Sequence, residues 1–288
     1  MNAVEWLVDP YRSEFMRHAL AAAVLVGVVA PLVGVWIVLR RLAYLGDAMS
    51  HSLLAGVAGA FLLGASITAG ALVAGLLMAT GIGLLARHPR LRSDAVIGVV
   101  ETAMFAAGVV LVSTRSDRIG VDLSAYLLGQ VTTVTTGDLA VNGVLVAVAL
   151  VAVVWLFADL RAATFDPVHA ALSGVRVGAV SSALLAMLAV AIVVSLQTVG
   201  LLMSVAMLVT PAAAARLLTA RTSTMTAAAV AIGVVSAALG LTASYHLATP
   251  PGATVALAAV AALAIAFLVT LPHRGHRHPA AAAAPRPA

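Results

Sequence analysis

A chain of 288 residues with 62% hydrophobic and 9% charged positions, and a mean hydropathy of +1.10, carries too little charge to clothe a soluble domain of its size. All 16 basic positions are Arg and the formal charge is +5, but these Arg residues sit at the ends of apolar runs, which fits membrane topology and anionic headgroups better than a nucleic-acid groove. The chain has no Cys, which excludes disulfides, thiolate metal ligands and Cys nucleophiles.

The first apolar run, from about Ala19 to Leu39, has no A-x-A-like cleavage site before the next polar stretch and reads as a retained span. Runs able to cross about 30 Å of hydrocarbon fall near 17–39, 44–64, 66–86, 95–113, 138–158, 176–196, 198–217, 224–246 and 252–271. The expected fold is therefore an all-α polytopic membrane protein of about nine transmembrane helices. Eight is the count if the second run, interrupted by Asp47, Ser50 and His51, is a loop or re-entrant segment.

Cytoplasmic loops retain positive charge, so the Arg positions test the topology. With the N-terminus outside and the C-terminus inside, the inner face receives Arg40, Arg41, Arg87, Arg90, Arg92, Arg161, Arg176, Arg216, Arg221, Arg274, Arg277 and Arg286, which is 12 of the 16. The outer loops at 63–66, 196–198 and 246–252 carry none. A longer outer segment, Ser113 to Gly137, holds Arg115, Asp117, Arg118 and Asp122 and an apolar stretch from Leu123 to Leu128 that predicts a short surface helix. Residues 1–272 form the membrane domain in this reading, and 273–288, rich in His, Ala and Pro, a disordered cytoplasmic tail.

Charged groups inside a span usually face a protein interior or a pathway. Asp47 and His51, in GDAMSHSLLAG, are spaced i and i+4 and share one helix face. A hard oxygen and an imidazole nitrogen suit Mn²⁺, Fe²⁺ or Zn²⁺. The plain alternative is that Asp47 caps the helix and His51 bonds to a neighbouring helix. Glu101 lies near the middle of the fourth span, with Asp94 near that span's start, and can be a pathway ligand, a proton-linked group or a structural donor. His246, at the outer end of the eighth span, has an interfacial structural reading beside a cation-greeting one.

Between spans five and six, in ADLRAATFDPVHAALSGVRVG, Asp166 is an N-cap, Pro167 suits the first helical position and Gly174 the stop. The pattern predicts a two-turn cytoplasmic helix from about Pro167 to Ser173, fit either to dock a separate motor or simply to connect two spans. No GxxxxGK[ST], HExxH or GxSxG occurs, so catalysis by this chain alone is not expected, and any ATP hydrolysis belongs to a partner.

Five segments in order resemble the ABC-3 family of zinc, manganese and iron transporter permeases. They are VLRRLAYLGDAMSHSLLAGVAGAFLLG (38–64), SDAVIGVVETAMFAAGVVLVS (93–113), FDPVHAALSGV (165–175), LQTVGLLMSVAMLVTPAAAARLLT (196–219) and SYHLATPPGATVAL (244–257). The resemblance implies a type II ABC importer permease-like fold in a prokaryotic cytoplasmic membrane. The implied assembly is a permease homodimer among membrane lipids, with an ABC ATPase subunit and an extracytoplasmic solute-binding protein. The transported divalent metal would pass through with no permanently bound cofactor, ATP staying on the partner, and no nucleic acid is involved.

By position, Asp47 and His51 match the family's GDA-x-SH pair on the metal path, to which the intramembrane Glu101 is added. Phe165, Asp166, Pro167, His169 and Gly174 match the ATPase-coupling stretch, and Gln197, Thr198, Gly200 and Pro211 match a pore-shaping stretch, Pro211 freeing a backbone carbonyl. Two departures stand out: Glu101 replaces a more often uncharged residue, and Ala248 a commonly acidic one. A proton-coupled secondary carrier using Glu101 or Asp47, and a non-transporting membrane scaffold, are the competing functions.

Overall fold

The structure is a computed structural model that describes Trp6 and residues 9–86, 88, 90–114 and 135–271. A 3-10 turn at Asp9–Arg12 leads into α1 (Glu14–Leu39), followed by α2 (Tyr44–Leu63), α3 (Ile67–Leu85), α4 (Ser93–Ser113) and α5 (Thr136–Trp155). Two short helices, α6 (Phe157–Phe165) and α7 (Pro167–Leu172), precede α8 (Val177–Leu218), α9 (Thr222–Leu247) and α10 (Pro251–Thr270). The surface helix expected within Ser113–Gly137 and the tail from His273 lie outside the described residues.

Among the described residues, 8 helical stretches are long and apolar enough to cross a membrane, and a further one, Met203–Leu218, is shorter. The doubtful second run is a full 20-residue helix, Tyr44–Leu63. The odd segment is instead the seventh, and the reason is local: Gly200 in α8 adopts φ 81°, ψ 178°, a conformation open essentially to Gly alone, and breaks the helix.

The break reverses the chain. Ser181, near the start of α8, bonds to Arg40 at the end of α1, yet Leu208 lies against Gly34, only six positions from that same end. A straight helix would carry residues 181 and 208 about 40 Å apart. The Val177–Leu196 arm therefore rises from the Arg-rich face and the Met203–Leu218 arm returns to it. At about 24 Å, the second arm is shorter than the hydrocarbon it enters.

α1 is the central post. Its residues Val26, Val29, Val33, Val35, Trp36 and Ile37 are fully buried. Small residues let backbones approach closely, which is how helices associate without a hydrophobic drive between them. Gly27 meets Gly233 across α1 and α9, and Gly56 meets Gly70 across α2 and α3; a methyl on Gly233, Gly56 or Gly70 would overlap the facing backbone, and one on Gly27 would press on it at 3.0 Å. The outer bundle faces lipid, with Val99, Val144, Val151 and Leu257 all exposed.

Candidate functional site

α1 ends at Leu39, and Arg41 takes a left-handed φ of 60° that turns the chain into α2. Ala43 is the α2 N-cap, so Asp47 does not cap the helix; it lies in the first turn. His51 Nε2 stands 3.8 Å from Asp47 Oδ1, too far for a hydrogen bond. The imidazole edge meets Phe105 of α4 with ring centroids 5.9 Å apart, where a bond to a neighbouring helix was the plain expectation. The adjacent hydroxyls serve the helix itself: Ser50 Oγ donates to Gly46 O at 2.8 Å and Ser52 Oγ to Ala48 O at 2.9 Å. Asp47 and His51 are thus left as a pair, with side chains 35% and 38% exposed on a membrane-spanning helix.

A divalent ion at about 2.1 Å from each ligand atom holds cis ligands about 3.0–3.4 Å apart. The observed separation is about 0.4–0.8 Å wider. α2 and α4 run parallel, with Phe105 level with His51 and Gly108 packed on Leu54 and Ala55. The same offset carries Glu101 to the depth of Asp47. Among the described residues no three His, Asp or Glu groups gather closely enough to hold an ion, so Glu101 shares the depth of the pair without completing a coordination shell.

On the Arg-rich face, Leu156 breaks the helix between α5 and α6, and Asp166 breaks it again before α7. Asp166 Oδ1 accepts from His169 N at 2.9 Å, Pro167 occupies the first turn, and Gly174 at φ 87° ends the segment. Ala170 is buried beneath α7, whereas Phe165, Val168 and Leu172 are 61%, 71% and 82% exposed. Sequence reasoning had Phe165 but not Val168 or Leu172; the i, i+4 spacing of these two within the predicted helix was the signal available for them.

In α8, Gly200 forms the break and Pro211 sits inside the returning arm, while the side chains of Gln197 and Thr198 lie outside the described residues. His246 is engaged structurally: its ring stacks on Trp6 at 4.6 Å, and its Nε2 lies 2.8 Å from Trp6 O.

A helical bundle with a broken intramembrane helix, a polar pair facing outward from α2 and a capped helix on the cationic face is the build of a transport permease. The chain belongs to the ABC 3 transport family, whose family model matches residues 12–270. It is 39% identical over 253 residues to the manganese transport system membrane protein MntC of Halalkalibacterium halodurans, covering 88% of this chain and 86% of that one. It is 33% identical over 244 residues to the chelated iron transport system membrane protein YfeC of Yersinia pestis, covering 85% and 82%. Among solved structures, PsaBC from Streptococcus pneumoniae in complex with Fab superposes with a TM-score of 0.82 at 31% identity, covering 94% of this chain and 97% of that one.

Proposed function

We propose that this chain is the membrane-spanning subunit of an ATP-driven importer that carries a divalent transition-metal ion, manganese, iron or zinc, across the cytoplasmic membrane of a prokaryote. The observation that carries the reading is the Asp47–His51 pair on one face of α2, 3.8 Å apart and more than one-third exposed within a membrane span. A charged group facing lipid within a span is costly, less so in the first turn where Asp47 lies than at the helix centre. A second copy of the chain, or water in a path between two copies, removes that cost. Two ligands per chain give weak, transient coordination, which transport needs because a tightly caged ion is not released. Membership of the ABC 3 transport family and the names of MntC and YfeC support metal as the cargo.

The rest of the assembly follows from the same reading. A separate ATPase docks on α7, whose Val168 and Leu172, with Phe165 at the end of α6, present an apolar surface outside the membrane. An extracytoplasmic binding protein delivers the ion to the opposite face. Gly200 and Pro211 shape the path through the broken helix, with Gln197 and Thr198 beside the break. Glu101 places a further carboxyl group at the depth of Asp47. In a metal-starved strain that depends on this gene, Asp47→Ala and His51→Ala are expected to abolish metal accumulation while the protein still reaches the membrane. Undiminished accumulation by the double variant overturns the path.

A further inference from the structure

Arg40 and Arg41 are neighbours in sequence with different fates. Arg40 is folded back against the bundle: its Nε donates to Thr164 Oγ1 at 3.1 Å and its Nη1 to Ser181 Oγ at 3.0 Å. Its Nη2 is shielded from solvent and has no acceptor. Among the described residues no carboxylate lies within ion-pair distance of this guanidinium. Desolvation lowers its pKa from the usual arginine value, which marks a cation held without a counter-ion.

The same side chain lines a cavity of about 300 Å³ at the Arg-rich end of the bundle, between the ends of α1 and α3 and the starts of α2, α4 and α8. Ser181, bonded to Arg40, and Ser182 supply hydroxyls to the lining, and the walls include the aliphatic residues Leu45, Ile82 and Ile97. A cationic, hydroxyl-bearing end joined to an aliphatic wall is amphiphilic. Its depth is that of the headgroups, since α1 ends at Leu39. Water or a free inorganic anion would satisfy the polar end and leave the aliphatic wall bare.

We propose that this cavity binds an anionic phospholipid of the inner leaflet, its phosphate against Arg40 and Ser182 and part of an acyl chain along Leu45, Ile82 and Ile97. Guanidinium and phosphate form charge-assisted hydrogen bonds with defined geometry, and because phosphatidylcholine carries the same phosphate, discrimination rests on net charge: its quaternary ammonium is repelled at the Arg40–Arg41 end, whereas an anionic headgroup adds no positive charge there. The site lies apart from the Asp47–His51 pair and does not rest on metal being the cargo.

The full-length protein, stripped of lipid in detergent, is titrated with phosphatidylglycerol, phosphatidylcholine or inorganic phosphate, and followed by native mass spectrometry and thermal unfolding. The wild type should retain phosphatidylglycerol and gain thermal stability from it, with at least about tenfold preference over phosphatidylcholine. Arg40→Gln should erase that preference. Gly83→Val fills the cavity from a position whose added Cβ would lie 3.4 Å from Ser182 Oγ, leaves the bonds to Thr164 and Ser181 untouched, and should also erase it. Equal retention of both lipids, or the same stabilisation by inorganic phosphate alone, overturns the proposal. So does an Arg40→Gln variant that is less stable in every lipid while binding phosphatidylglycerol as the wild type does, because Arg40 is then only a strut between α1, α6 and α8.

Discussion

The docking helix offers the sharpest single-residue test. α7 has six residues, far below the length at which an isolated helix holds itself. Its main-chain bonds include Ala170 N to Asp166 O at 3.0 Å and Ser173 N to His169 O at 2.9 Å, with the Asp166 side chain closing the open N-terminus on His169 N. Asp166→Ala removes that cap, worth about 1 kcal/mol. For so short a helix this lowers the folded-to-unfolded ratio about fivefold. Because Val168 and Leu172 share one face only when α7 is helical, affinity for the ATPase subunit should fall, by up to about fivefold per permease copy. The assay is equilibrium binding of purified ATPase to the permease in nanodiscs. Asn caps as well as Asp, so Asp166→Asn should restore binding. An Asp166→Ala variant that binds normally refutes the argument. An Asp166→Asn variant as weak as Asp166→Ala shows that charge, and not capping, is what matters.

Two further outcomes follow from the bundle. Gly56→Val should destabilise the protein by about 1–3 kcal/mol, because even the Cβ would lie 2.6 Å from the Ala74 Cβ and overlap the Gly70 carbonyl; denaturant unfolding in mixed micelles measures it, and an unchanged midpoint contradicts the crossing. Gly200→Ala should cost about 1–3 kcal/mol through backbone strain at φ 81°, ψ 178°, and should show as a lowered Tm; equal stability means the break is not where the fold places it.

What the sequence disclosed depended on the range of the interaction. The cap at Asp166, the Pro167 start and the Gly174 stop are local chemistry, and all three appear where the pattern put them. The apolar runs marked most helices within a few residues, since a span is a property of composition. The hairpin within α8 was half legible: two runs were visible, but the break was placed at 196–198, because the exceptional backbone of Gly200 leaves no trace in hydropathy. Thr135 and Asp138 form a capping box that fixes the start of α5 at Thr136, two positions before the apolar run suggested. At the candidate site, the i, i+4 spacing of Asp47 and His51 was readable, whereas the depth shared with Glu101 required the packing of Phe105 and Gly108 on α2. Arg40 was the least legible. The charge rule counts it with Arg41 as a mark of the inner face, and only the fold turns it inward onto Thr164 and Ser181.

The central claim is that a metal ion passes Asp47 and His51 under power from another chain. Reconstituting the permease with its ATPase in proteoliposomes and following radioactive manganese gives the most direct measurement. The account expects transport that requires ATP, ignores an imposed pH gradient, and disappears in Asp47→Ala/His51→Ala vesicles that still bind the ATPase. Manganese movement driven by the pH gradient with no ATPase present, or full ATP-driven transport by the double variant, would contradict it.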